Sequence, residues 1–252
     1  MIRVAAVGDL HLGTDSAGTL RPRLHHLAER ADVFLLAGDL TRCGEPEEAR
    51  VLAGELEGLD VPTVAVLGNH DHHADRPHEL ADILESVGVQ VLEGTSTVIE
   101  VGPLRLGIAG TKGFGGGFPG ASGSEFGEPE MKAFMAHSRC LAERLEAALG
   151  ALDVDVKVAL LHYSPCPATL VGEPPEIYPF LGSGYLADAV DRGGATLTFH
   201  GHAHGGSPEG TTPGGVPVRN VALPVIGHVY ACFDLAPEPC GKDKELAGFF
   251  RD

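Results

Sequence analysis

Short apolar runs alternate with helically spaced stretches through the first third of the chain. "IRVAAVGD" (2–9), "DVFLLAGD" (32–39) and "VPTVAVLGNHD" (61–71) are near-continuous apolar segments that break into polar residues, the pattern of buried strands. Between them, "TLRPRLHHLAER" (19–30) places Leu20, Leu24 and Leu27 at helical spacing, and "EPEEARVLAGELEGL" (45–59) has acids in its first turn. "PHELADILESVG" (77–88) has a proline near its start and a glycine after its end. Strand, helix, strand, helix, strand, helix predicts an α/β layered fold with parallel pairing.

The middle of the chain changes character. "TSTVIEVGPLRLGIAGT" (95–111) predicts two strands joined at Gly102-Pro103. The glycine-rich "KGFGGGFPGASGSEFGEP" (112–129), with Phe114, Phe118 and Phe126 interleaved, lacks any regular pattern and is too long for an ordinary connection. It is either a mobile lid over an apolar leaving group, spanning Lys112 to Glu128, or a plain excursion. A long helix (130–152) follows, then strands at "VKVALLHYSP" and "ATLTFHGHAH" with a helix, "GYLADAVDRGG", between them. Two further strands are predicted near "VPVRNVAL" and "GHVYACFDL". With no internal repeat and no convincing linker, residues 1–236 read as one domain and 237–252 as a loose C-terminal tail.

Composition narrows the class. The 252 residues are 43% hydrophobic, enough for a substantial core. A formal net charge of −17 argues against long nucleic acid as a partner, which needs clustered Lys and Arg. It does not exclude a small phosphate ester, because bound cations reverse the sign locally. Cys43, Cys140, Cys166, Cys232 and Cys240 are odd in number and form no C-x-x-C pair, so neither a disulfide framework nor a thiolate zinc site is expected. "MIRVAAVGDL" turns polar too soon for a signal peptide, and no apolar run is long enough to span a membrane. The expectation is a cytoplasmic chain with no membrane association.

The candidate chemistry sits where the apolar runs end. "GDLHLG" offers Asp9 and His11, "GDLTRCG" offers Asp39, "GNHD" offers Asn69, His70 and Asp71, "LLH" offers His162, and "GHAH" offers His202 and His204. In parallel α/β sheets ligands bind beyond the carboxyl ends of the strands, so five runs aim the same kind of group at one edge. Imidazole, carboxylate and amide oxygen together suit Mn, Fe, Zn or Ni. The D-x-H and H-x-H spacings would put both side chains on one side of an extended segment. A preceding glycine at Asp9, Asp39, Asn69 and His202 permits a sharp turn and close backbone approach.

Taken in order, these five motifs resemble the calcineurin-like metallophosphoesterase family, nearest its bacterial class III phosphodiesterase branch. They run from Asp9 to His204 and so cover most of the chain. The resemblance implies a four-layer α/β/β/α sandwich with a dinuclear metal site at the C-terminal ends of its strands. It implies that one ion takes Asp9, His11, Asp39 and His204, and the other takes Asp39, Asn69, His162 and His202, with Asp39 bridging. It further implies attack on phosphorus by a hydroxide between the ions, with His70 assisting the leaving group and Asp71 orienting His70. The expected substrate is a small phosphate ester, a phosphodiester before a phosphomonoester or nucleotide. The alternative from another class is a non-catalytic protein-binding scaffold, which some relatives become when ligands are lost; here the set is complete.

The neighbouring residues read more plainly. His200 is expected to support the site rather than join it. His72 and His73 face either substrate or solvent. His25, His26, His78, His137 and His228 are surface or packing residues. Cys43 is expected to pack or line a loop rather than to act as a further ligand, and Arg42 and Lys112 are expected to be solvated charges rather than contacts to a phosphate oxygen.

Overall fold

A computed structural model describes residues 1–237. The proposed tail, apart from its first residue, and Cys240 lie outside the described residues. In chain order the elements are β1 (Ile2–Val7), α1 (Leu27–Arg30), β2 (Val33–Ala37), α2 (Pro46–Leu56), β3 (Thr63–Val66), α3 (Pro77–Glu85), β4 (Val89–Val91), β5 (Thr95–Val101) and β6 (Leu104–Thr111). Then come β7 (Gly117–Phe118), β8 (Ala121–Ser122), α4 (Pro129–Gly150), β9 (Val156–Leu161), α5 (Tyr178–Leu181), α6 (Gly184–Gly193), β10 (Leu197–His200), β11 (Glu209–Thr211), β12 (Pro217–Asn220), α7 (Leu223–Ile226) and β13 (Ala231–Leu235).

Two sheets stack face to face. The first has the order β13-β1-β2-β3-β4 and the second β11-β12-β10-β9-β6-β5. β1 to β4 run parallel, with Val4 opposite Val33 and Leu36 opposite Ala65, while β13 closes the edge antiparallel to β1. In the second sheet β6, β9, β10 and β12 run parallel to one another, while β5 and β11 close the edges antiparallel. The inner faces meet in one apolar cluster, where Val4, Leu35 and Val64 pack with Ile108, Val158 and Phe199. Because both faces of the central strands are buried, they read as continuous apolar runs instead of alternating ones.

Each outer face is covered by helices. Leu52 and Leu56 of α2 and Leu84 of α3 pack on Phe34, Leu36 and Ala65. Leu145 and Leu149 of α4 and Leu186 and Val190 of α6 pack on Ala159 and Leu161. The layer order is helix, sheet, sheet, helix, as expected, and each buried Leu or Val contributes roughly 1.5–3 kcal/mol relative to exposure.

Two expectations change. The single helix over 19–30 divides into a 3-10 turn at Arg21–Leu24 and the one-turn α1. Leu20, Leu24 and Leu27 are all buried, so the apolar spacing was informative. Its start, however, is set by Glu55 of α2, whose carboxylate accepts from the backbone amides of Gly18, Leu20 and Arg21. The glycine-rich segment also divides. From Lys112 to Phe118 it is largely buried and bonded to the chain near α5, with the Gly116 amide on the Pro179 carbonyl and the Gly117 amide on the Gly182 carbonyl. Only the stretch 119–128 is largely exposed, and Phe126 at 88% exposure is its extreme. A lid over the whole of Lys112–Glu128 is therefore incompatible with the packing of its first half.

Candidate metal centre

β1, β2 and β3 of one sheet and β9 and β10 of the other all end at the same edge of the sandwich. Asp9 and His11 follow β1, Asp39 follows β2, Asn69 and His70 follow β3, His162 follows β9, and His202 and His204 follow β10. The structure brings all eight together. Three overlapping groups form: Asp9, His11 and His204; His11, Asp39 and His70; and Asp39, His162 and His202, with donor atoms within 4.8 Å of one another in each group.

Asp39 stands between the two halves. Its Oδ2 is 3.8 Å from His11 Nε2 and its Oδ1 is 3.3 Å from His162 Nε2. Asn69 joins the second half through Oδ1, 2.9 Å from His162 Nε2. His204 Nε2 lies 2.9 Å from Asp9 Oδ1 in the first.

The pairs Asp9/His11 and His202/His204 converge by a route other than extended alternation. Asp9, His11, Asp39 and His202 have φ of 59°, 46°, 49° and 70°. Asp and His are among the few residue types that tolerate this left-handed region, and such conformations cost on the order of 1–3 kcal/mol each and cluster at functional sites. The chain curls at the strand ends and folds both side chains inward. Gly38 (φ 80°) precedes Asp39, and a Cβ there would lie 2.6 Å from His162 Nδ1. A Cβ on Gly201 would lie 2.3 Å from Asp9 Oδ2. Gly201 thus admits the Asp9 carboxylate, which accepts from the His202 amide at 2.9 Å.

The imidazoles are oriented from behind. His162 Nδ1 donates to the Ala37 carbonyl at 2.9 Å, leaving Nε2 to face the cluster. His202 Nε2 donates to the Phe180 carbonyl at 3.2 Å, leaving Nδ1. Such outer hydrogen bonds fix the tautomer of ligating histidines. His11 Nε2 is buried and has no hydrogen-bond partner among the described residues. A buried, unpaired ring nitrogen aimed between two carboxylates is costly unless a cation or proton satisfies it, so the donor set fits metal ions.

The electrostatics without metal agree. Against the downward pull of burial, the charge of Asp39 and its contact with His162 push that imidazole up to about 9. Burial opposes ionisation of Asp39, yet His162 and the His70 amide hold it well below the usual carboxylate range. Burial lowers His11 and pushes His202 down to about 3. The hydrogen bond to Asp9 raises His204.

Asp71 departs from its expected role. It is fully buried, and it accepts from the amides of Leu40, Thr41 and Gly68 and from Thr41 Oγ1 rather than from the His70 ring. His70 Nδ1 instead donates to the Arg42 carbonyl at 2.8 Å, which turns Nε2 toward Asp39, 3.9 Å away. Asp71 ties the loop after β2 to the end of β3, and through that loop it sets the carbonyl that holds His70.

His200 is a supporting residue as expected: fully buried, it donates from Nδ1 to the Gly201 carbonyl and accepts at Nε2 from Thr169 Oγ1. Cys43 is exposed. Arg42 is an exposed charge whose guanidinium pairs with Asp15. Lys112, read as a solvated charge, is instead only 7% exposed. Sequence reasoning also missed Tyr163, whose ring lies 4.3 Å from that of His202, and the carbonyls of Ala37, Arg42 and Phe180. Backbone carbonyls carry no residue-type signal, and Tyr163 was detectable only as the neighbour of His162.

Comparison with known proteins places this geometry. Residues 2–206 match the model of the calcineurin-like phosphoesterase family. A probable cyclic nucleotide phosphodiesterase of Synechococcus sp. is 35% identical over 92 residues, 32% of this chain and 34% of that protein. The glycerophosphodiester phosphodiesterase GpdQ of Enterobacter lignolyticus is 40% identical over 52 residues, 21% of this chain and 19% of that protein. The matched stretches thus span about a third or less of these relatives' own lengths. The solved phosphopantetheinyl hydrolase of Mycobacterium tuberculosis has the same fold, with a TM-score of 0.67 at 17% identity over 94% of this chain and 97% of that one.

Proposed function

Because this chain belongs to the calcineurin-like phosphoesterase family, we propose that it is a metal-dependent hydrolase of small phosphate esters. The observation that carries the reading is the pair of donor groups sharing Asp39, with the unpartnered His11 Nε2 between Asp39 and Asp9. Asp9, His11, Asp39 and His204 would hold one ion, and Asp39, Asn69, His162 and His202 the other. Mn, Fe, Zn and Ni all accept this imidazole, carboxylate and amide set. Two such ions supply Lewis acidity toward phosphoryl oxygens and a nucleophile from water near neutral pH.

The chain's own groups do the rest. Asp9 and Asp39 bring two negative charges, so a pair of divalent cations leaves the centre net positive and able to attract a phosphate into a protein of net charge −17. Ala37 and Phe180 hold the ring planes of His162 and His202 through their carbonyls. His70 donates its Nδ1–H to the Arg42 carbonyl and presents Nε2 at the cluster; with a second proton on Nε2 the ring can give that proton to the departing alkoxide or donate to a phosphoryl oxygen. A diester is the favoured substrate, supported by the names of both curated relatives. The acidic surface favours a small ester over long nucleic acid.

The test is hydrolysis of bis(p-nitrophenyl) phosphate and p-nitrophenyl phosphate by Mn-loaded protein, with metal content measured on the same sample. Turnover of the diester is expected, and His70→Ala is expected to lower it by about 10²–10⁴-fold. Two bound ions with no turnover of either ester would overturn the reading, and unchanged turnover in His70→Ala would overturn the role of His70.

A further inference from the structure

Beside the metal cluster lies a buried cation that the reaction described above does not use. Lys112 follows β6, and its carbonyl accepts the amides of both His162 and Tyr163. Its ammonium sits 5.3 Å from the centroid of the Tyr163 ring, the same ring that lies against His202. It sits 4.8 Å from the centroid of Phe114. Only about one aromatic ring separates this charge from a candidate metal ligand.

The charge has no carboxylate partner among the described residues. Its one hydrogen bond is to the adjacent Gly113 carbonyl, at 3.2 Å. Glu93 is near, but its two oxygens accept from Thr111 Oγ1 at 2.7 Å and from the Lys112 backbone amide at 3.1 Å. The charges of Glu93 and Asp39 reach Lys112 without touching its ammonium, and the imidazoles of His72, half-buried, and His137, exposed, lie near enough that its charge, after burial, helps to depress both. His137, itself exposed, meets Phe114 edge-on at 4.8 Å and forms the solvent side of the cage. An ammonium that served packing alone would be better replaced by an apolar side chain of similar length, because a buried charge without a counter-ion is destabilising. Ring faces offset part of that penalty, and two unsatisfied N–H donors remain for a ligand.

We propose that Lys112 is a second anion site, next to the metal cluster, that takes a phosphate group carried by the substrate beyond the phosphoryl group undergoing hydrolysis. The substrate class is then a phosphate ester bearing a further phosphate, and this rests on the hydrolase reading above. His72 and His137 border the approach, and among the described residues no carboxylate oxygen bonds the Lys112 ammonium, which leaves its free N–H groups for such an anion.

The experiment compares two p-nitrophenyl phosphodiesters whose second arm is methyl or 2-phosphoethyl, using metal-loaded protein. Calorimetry measures binding of the corresponding products, methyl phosphate and ethane-1,2-diol bisphosphate. The phosphorylated arm is expected to raise kcat/KM and tighten product binding by about tenfold or more in the unmodified protein. Lys112→Met should collapse both ratios, and Lys112→Arg should retain most of them. Thermal melts confirm folding, with Lys112→Gln taking the place of Lys112→Met if that variant does not fold. Equal ratios in unmodified protein and Lys112→Met, or no preference in the unmodified protein, overturn the proposal. If neither diester is cleaved but bisphosphate binding still depends on Lys112, the hydrolase reading falls and the anion site stands.

Discussion

Replacing Asp71 by Asn tests whether this residue acts on His70 directly or on the loops that carry the site. The carboxylate accepts from four donors: Thr41 N and Thr41 Oγ1 at Oδ1, and Leu40 N and Gly68 N at Oδ2. An amide of the same shape can accept at only one end. With its NH2 toward Leu40 and Gly68, two backbone N–H groups lose their acceptor. With its NH2 toward Thr41, the hydroxyl can rotate to accept, and one backbone N–H is left facing a donor. The second orientation is the cheaper, and one orphaned buried donor costs about 1–3 kcal/mol. Loss of charge assistance in the surviving hydrogen bonds adds about 1 kcal/mol. Part of this is returned, because burial pushes the Asp71 carboxyl up and the neutral side chain escapes that penalty. The net expectation for Asp71→Asn is about 2 kcal/mol of lost stability, read as a lower midpoint in urea unfolding at unchanged slope. The pH profile of turnover should keep its shape, because His70 remains bonded to the Arg42 carbonyl. A stability change under about 0.5 kcal/mol, or a shifted pH profile in a fully stable variant, would refute the buttress role.

Three further outcomes follow from the same geometry. Asp39 belongs to two of the three donor groups and lies near both His11 and His162, so Asp39→Asn should lose both ions, whereas His204→Ala should lose mainly one, as counted by metal analysis after dialysis. In the metal-free protein His162 is pushed up to about 9, so it carries a proton at pH 7 that an ion must displace. Metal affinity should therefore rise with pH toward 9, with about one proton released at this ring in calorimetry across buffers of different ionisation enthalpy; no proton release would refute it. The same shift stabilises the metal-free fold below the unfolded-state value of about 6.5, and that contribution is lost as pH rises through about 9. Gly38→Ala sets a Cβ 2.6 Å from His162 Nδ1 at a φ of 80°. It should cost about 2 kcal/mol or more and weaken metal binding, and a variant with unmodified melting temperature and metal content would refute the close-approach argument.

What the sequence by itself determined here is the buried central strands and the candidate donors that follow them. The apolar runs at 2–7, 33–37 and 156–161 are buried strands because two-sided burial demands continuous Val, Leu, Ile and Ala, and that demand is visible without coordinates. Asp9, His11, Asp39, Asn69, His162, His202 and His204 stand out because each breaks such a run with a metal-capable side chain. The tertiary structure alone decided how those donors converge, through positive φ at Asp9, His11, Asp39 and His202 instead of extended alternation. It decided that Asp71 holds two loops together and leaves His70 to the Arg42 carbonyl, because carbonyl positions depend on the packing of both strands and have no residue code. It also turned Lys112 from a solvated charge into a buried one, since the rings that enclose it, Phe114 and Tyr163, come from separate segments. Residue type and periodicity are local and survive in one dimension; hydrogen-bond partners and burial arise only when distant segments meet.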